Sequence, residues 1–149
     1  MIYLACPYSH PDASIRQQRF EAACAATAAL MRAGYRVFAP VVHGHPLTQH
    51  GLPGDWSFWE GHARWHLERC SEVVVLMLDG WDASEGVQAE IEIATELGKV
   101  AWYRYPVRQT TPTLAHEAKE AARWWVWTPT TKHPDVANVG VKRPAKPEK

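Results

Sequence analysis

Short apolar runs and longer stretches of mixed polarity alternate along the chain. The runs Ile2-Tyr3-Leu4-Ala5-Cys6, Tyr35-Arg36-Val37-Phe38-Ala39-Pro40, Glu72-Val73-Val74-Val75-Leu76-Met77-Leu78 and Val100-Ala101-Trp102-Tyr103 have the length and β-branched or aromatic character of strands. The run from Glu72 is continuous rather than alternating, which reads as a strand buried on both faces. Between the runs, residues 13–33, Trp56 to Arg69, Ser84 to Gly98 and Thr113 to about Arg123 read as helices. Asp12 is placed to cap the first of them and Gly34 to end it. Trp125-Val126-Trp127 reads as a fifth, short strand. Strands that alternate with helices imply an α/β fold, here a single-domain Rossmann- or flavodoxin-like parallel five-stranded sheet with helices on both faces. That domain spans residues 1–128, and residues 129–149 form a polar, basic C-terminal tail.

Three connections converge on the carboxyl edge of such a sheet, where ligands bind in open α/β folds. They are residues 7–11, 41 to about 55, and 79–86. The middle one reads as a long loop rich in histidine, proline and glycine, and loops of that length inside a compact domain are often functional.

One acid breaks the pattern. At about 100° per residue, Val87, Ile91, Ala94 and Leu97 share one face of the Ser84 helix, and Glu90 lies among them. Glu85, Glu92 and Glu96 point the other way, where acids belong. A buried acid costs several kcal/mol unless something requires it. Glu90 sits one turn into the helix that starts at the ligand edge, where unpaired N–H groups and partial positive charge favour anions.

Composition narrows the function classes. The chain has 149 residues, enough for one domain with a real core, and its formal net charge is zero. Bulk electrostatics therefore favour neither a nucleic acid polymer nor a membrane. No stretch approaches the roughly 20 apolar residues of a membrane span, and the N-terminus runs into a strand without the basic region of a signal peptide. Cys6, Cys24 and Cys70 are widely spaced and odd in number, as expected of buried free thiols in a reducing cytoplasm. Eight tryptophans, with Trp56, Trp59 and Trp65 in one segment and Trp124, Trp125 and Trp127 in another, imply flat apolar surfaces for a subunit interface or a planar ligand.

Two stretches together resemble the nucleoside 2-deoxyribosyltransferase superfamily, including its nucleoside 5′-monophosphate N-glycosidase branch. The first is the opening Ile2-Tyr3-Leu4-Ala5-Cys6-Pro7-Tyr8-Ser9. The second is Leu78-Asp79-Gly80-Trp81-Asp82-Ala83-Ser84-Glu85-Gly86-Val87-Gln88-Ala89-Glu90 followed by Glu96-Leu97-Gly98-Lys99. The likeness covers about residues 1–105. It implies cleavage or transfer of an N-glycosidic bond on a nucleoside 5′-monophosphate or nucleoside, with no metal or organic cofactor, in a homodimer or higher homo-oligomer. It makes Glu90 the group that attacks or stabilises the anomeric carbon as the base departs. Such a carbon becomes oxocarbenium-like, and a fixed anion in a water-poor pocket stabilises it strongly. By the same resemblance Tyr3 orients that carboxylate, Tyr8 lies near the base, Ser9 belongs to the binding loop, and Ser84 and Gly86 form a phosphate-contacting turn. Members acting on free nucleosides tend to carry aspartate where Ser84 stands, which tilts the expectation toward a phosphorylated substrate.

The family often has an aspartate near the base about seven residues before Cys70; here that residue is Ala63. His62, His66, Glu60 and Asp55 are nearby substitutes among which the sequence does not choose. His43 and His45 are expected to contact substrate, and Arg16 rather than Arg19 to help hold phosphate.

Plainer readings remain open beside these. Glu90 pairs with an arginine or caps a helix, Tyr3 is a core tyrosine, Ser84 is only an N-cap, Tyr8 packs its loop, and the arginines are surface residues. Two other functions also remain: a nucleotide-binding or sensing module without turnover on the same fold, and a metal-dependent hydrolase built on His43, His45, His50 and the His62/His66 pair.

Overall fold

The computed structural model describes residues 1–106. The fold is α/β, with four parallel strands and four helices: β1 (Ile2–Ala5), α1 (Ala13–Arg32), β2 (Val37–Phe38), α2 (Pro40–Thr48), α3 (Trp56–Arg69), β3 (Glu72–Leu76), α4 (Glu85–Glu96) and β4 (Val100–Arg104). The sheet order is β2-β1-β3-β4. Every pair is parallel, with Tyr3 opposite both Phe38 and Val73, and Val73 opposite Ala101. The expected helix over 113–123 and the expected fifth strand at 125–127 lie outside the described residues, as does the tail.

The two faces of the sheet bury different residues. Ile2, Leu4, Val74 and Leu76 pack against Ala23, Ala26 and Leu30 of α1, with Val41 and Val42 of α2 at the margin. Tyr3, Ala5, Val73 and Val75 pack against Ala63 and Leu67 of α3 and Val87, Ile93 and Ala94 of α4. Both faces of β1 and β3 are therefore covered, which is why their sequences run apolar without alternation. After β1 the chain turns to one face and after β3 to the other. The two connections part at the carboxyl ends of the central strands, and a crevice opens between them.

Local signals fix the helix starts. The Asp12 carboxylate accepts from the Ser14 N–H at 2.7 Å, capping α1. Asp55 accepts from the Phe58 N–H at 3.2 Å and caps α3. Both caps satisfy N–H groups that the first turn leaves unpaired. Gly34, with φ of 91°, lets the chain leave α1 in the left-handed region.

Three expectations differ from the structure. Residues 41–48, expected as loop, form α2 despite Gly44 and Pro46 within it. Pro40 occupies the first turn, where its missing N–H and fixed φ are favourable, and Gly44 is buried against the Trp59 ring. Packing overrides the breaker residues here, and the loop shrinks to residues 49–55. In α4, Leu97 is not on the buried face: the helix ends at Glu96, and Leu97 is the exposed C-cap. Ile93 takes its place in the core and Ile91 is only half-buried. Of the cysteines, all three are free, but Cys24 is half-buried rather than buried.

Candidate functional site

A cavity of about 690 Å3 opens at the carboxyl edge of the sheet, lined from all three connections that converge there. Its volume suits a small organic ligand. One wall comes from the β1 exit (Cys6, Tyr8, Ser9, His10) with Arg19 of α1. A second comes from α2 (Pro40, Val41, His43, Gly44, His45, Thr48). A third comes from α3 (Trp56, Trp59, His62, Ala63, His66), and the last from Ala83, Ser84, Gly86, Val87 and Glu90 at the start of α4.

Glu90 is the buried charged residue among those described, 6% exposed, on the inner face of α4 and on the cavity wall. The Tyr3 hydroxyl donates to Glu90 Oε1 at 2.7 Å. Tyr3 is fully buried beneath the site and does not itself line the cavity. Its ring packs on Phe38, with centroids 5.8 Å apart, so the hydroxyl is aimed by the core rather than by the ligand. Burial pushes the Glu90 carboxyl up from 4.5 to about 8, opposed by the Tyr3 hydrogen bond, which favours the charged form. Burial raises Tyr3 well above its ordinary value, reinforced by the nearby carboxylate. Burial also raises the Cys6 thiol, with Glu90 adding to it, so Cys6 lines the cavity as a neutral group.

Ser84 stands at the N-cap of α4, yet its side chain makes no capping bond. The hydroxyl is thus left for other use, and the first N–H groups of α4 lack a side-chain acceptor from the cap. Gly86 has a packing reason besides any ligand: a Cβ there would lie 3.4 Å from the Trp56 ring. Gly44 is related to Trp59 in the same way, also at 3.4 Å. The indole N–H of Trp59 donates to Pro53 O at 2.7 Å. Two indoles at the start of α3 therefore bridge toward α2 on one side and α4 on the other, giving the cavity flat apolar surfaces.

The arginines are placed the other way round from expectation. Arg16 lies outside the cavity lining; its Nη1 donates to the carbonyls of His10 and Pro11 and holds that loop. Arg19, three residues further along α1 on the side facing the sheet's carboxyl edge, lines the cavity. It donates from Nη1 to Ser9 O and from Nη2 to Asp79 O, both at 2.9 Å. These acceptors are neutral carbonyls, and among the described residues no carboxylate is ion-paired with Arg19. A positive charge thus stands at the mouth, tying the loop after β1 to the loop after β3. The two lie three residues apart on nearly the same side of α1, and the sequence does not say which of them lines the cavity.

Tyr8 and the α2 histidines are built into the mouth. The Tyr8 hydroxyl and His45 Nδ1 are hydrogen-bonded at 2.9 Å, and His45 stacks on Phe20 with centroids 4.2 Å apart. Ser9 Oγ donates to Gly54 O at 3.2 Å and fastens the 49–55 loop. His43 lines the cavity and is exposed. Around Ala63, the lining includes His62, His66 and Asp55 but not Glu60. His66 is stacked on Phe38, with centroids 3.5 Å apart and planes 10° from parallel. Among the described residues no three histidine, cysteine, aspartate or glutamate side chains gather closely enough to hold a metal ion.

Fold and site together define a parallel α/β protein with a cavity of about 690 Å3 at the carboxyl edge of its central strands and a buried acid in the cavity wall. The chain belongs to the family described as Domain of unknown function (DUF1937), whose match covers residues 1–104, through the last described strand and every residue of the cavity. No curated protein matches it. No helix among the described residues is long and apolar enough to cross a membrane.

Proposed function

We propose that the protein cleaves or transfers the N-glycosidic bond of a nucleoside 5′-monophosphate or nucleoside, in the manner of the nucleoside 2-deoxyribosyltransferase superfamily. One observation carries the reading: the Tyr3–Glu90 pair, an acid held by a buried phenol on the wall of a ligand-sized cavity. In its ionised form Glu90 attacks C1′ of the sugar, or stabilises the cationic carbon, as the base leaves. Tyr3 is a positioning residue that fixes the reacting oxygens. The charge of Arg19, ion-paired with no carboxylate among the described residues, the Ser84 hydroxyl, which makes no capping bond, and the N-terminus of α4 support a substrate with a 5′-phosphate. The indoles of Trp56 and Trp59 support a planar base. The phosphate preference now rests on Arg19 in place of Arg16.

The test is incubation with a panel of deoxynucleoside and nucleoside monophosphates and free nucleosides, with free base detected by chromatography. Base release that disappears in Glu90→Ala supports the reading. Full base release by Glu90→Ala would sink the role given to Glu90.

A second reading, a nucleotide-binding module without turnover, is favoured by one specific observation. Burial holds Glu90 protonated at neutral pH, and a neutral acid is no nucleophile. This reading predicts saturable nucleotide binding and no free base at any pH up to 9.

A further inference from the structure

We propose that His66 meets the heterocyclic base of the substrate, its Nε2–H donating a hydrogen bond to an acceptor on the base edge as the glycosidic bond breaks. The proposal rests on the glycosidic reading above and supplies what that reading lacks, a group on the base side of the cavity.

The argument begins with an unsatisfied atom. His66 Nδ1 is buried and has no hydrogen-bond partner among the described residues, and such atoms in folded proteins call for a reason. A proton on Nδ1 would have no acceptor, so the neutral ring carries its hydrogen on Nε2. The same constraint disfavours the doubly protonated ring, and burial, then His43 and His62, lower its pKa. His66 is therefore a neutral donor of fixed tautomer. Among the described residues Nε2 makes no hydrogen bond, and it is not among the buried unsatisfied atoms. Its ring is clamped flat on Phe38 and edge-on to Trp65, with centroids 4.8 Å apart in the second contact. Phe38 also packs on Tyr3, so one aromatic contact links the rings beneath the acid and the donor.

Other histidines of the cavity do not meet these conditions. His45 is engaged by Tyr8 and stacked on Phe20. His10 accepts from the Asp12 N–H. His43 and His62 are exposed. Among these histidines His66 alone combines an orphaned buried nitrogen, a clamped ring and a place in the lining of the cavity that Glu90 also lines. It also stands one turn along α3 from Ala63, whose methyl group offers a leaving base no polar atom.

In the step so assigned, the C1′–N bond breaks and its electron pair stays on the base nitrogen. Glu90 bonds to C1′ or holds the cationic carbon until water or a second base adds there and loses a proton to solvent. The charge left on the base spreads onto the acceptor held by His66, and solvent supplies the proton that completes the base. A donor that does not transfer its proton favours leaving bases that tolerate negative charge.

The experiment uses full-length protein labelled with 15N at histidine and carrying Glu90→Gln, so that nucleotide binds without turnover. The His66 ring resonance is identified by its absence in His66→Phe. Titration with deoxyuridine, deoxyadenosine and deoxycytidine 5′-monophosphates is expected to move the Nε2 signal of His66. In the Glu90-containing protein, His66→Phe should lower kcat/KM by about ten- to a hundred-fold, while His66→Gln, which restores an N–H donor, recovers part of the loss. 5-Fluorodeoxyuridine monophosphate should react faster than deoxyuridine monophosphate. Nucleotide binding that leaves the His66 signal unmoved, or a His66→Phe protein as active as its parent, overturns this proposal while base release by the parent keeps the glycosidic reading. A His66 signal that moves in a protein that never releases base supports the base contact and removes the glycosidic reading. No binding of any of the three nucleotides overturns both.

Discussion

The Tyr3 hydroxyl reaches Glu90 Oε1 at 2.7 Å across 87 residues of sequence. Tyr3 lies on a central strand and Glu90 one turn into α4, so the pair forms only when β1 has docked beside β3 and α4 has closed over them. The hydrogen bond lowers the carboxyl pKa while burial raises it, and burial wins. That balance is directly measurable.

Base release should therefore be slow at neutral pH and rise toward alkaline pH, with kcat/KM half-maximal near pH 8, where Glu90 ionises in the free protein. Tyr3→Phe removes the contribution that favours the charged carboxylate, so the midpoint should move upward while the plateau falls. A pH–rate profile of both proteins checks this, and a midpoint that stays fixed in Tyr3→Phe would show the hydroxyl has no hold on the acid.

The same shift appears in stability. The folded carboxyl has its pKa raised from 4.5 to about 8, so the native state holds a proton that the unfolded chain releases. Stability from this group is fully present below pH 4.5 and is lost as pH rises through 8. The full shift corresponds to a few kcal/mol at about 1.36 kcal/mol per pKa unit. Glu90→Gln should gain stability relative to the parent by that order between pH 5 and pH 9, measured by urea unfolding at both.

Arg19→Gln should discriminate substrates by charge. Its guanidinium is held by two carbonyls, and no acid among the described residues pairs with it, which leaves its charge to meet a phosphate. The substitution should raise KM for a nucleoside monophosphate about tenfold or more and leave KM for the corresponding nucleoside within about twofold. Equal losses on both would make Arg19 a loop fastener only. Arg16→Gln should disturb neither ratio.

Gly44→Ala tests how the cavity wall is built. The new methyl group would meet the Trp59 ring at 3.4 Å, close to ordinary contact, within a helix where alanine is favoured over glycine by about 0.5–1 kcal/mol. A small rise in Tm is expected, with weaker binding of planar ligands as the wall moves inward. A fall in Tm would mean the indole cannot give way.

Much of this was readable beforehand because it depended on local pattern. The continuous apolar run from Glu72 is a central strand, and Asp12 caps α1 as its position predicts, whereas the Asp55 cap of α3 went unread. Glu90 among apolar neighbours was visible as a misplaced charge. What escaped depended on tertiary contact. Gly44 and Pro46 argue against helix until Trp59 is there to pack on α2. Periodicity groups Leu97 with Val87 because it does not show that the helix stops at Glu96. Arg16 and Arg19 differ by three positions, and nothing local says which of them turns toward the crevice. His66 was one of four neighbours of Ala63, and only the stacked Phe38 and the stranded ring nitrogen set it apart.

The cavity exists because the backbone diverges after β1 and after β3, one path turning to each side of the sheet. No hole had to be carved from packed interior to make room for a guest. Residues at the mouth such as His43 and Thr48 stand outside the packed clusters of β1 and β3, so exchanging them leaves the contacts of those strands in place.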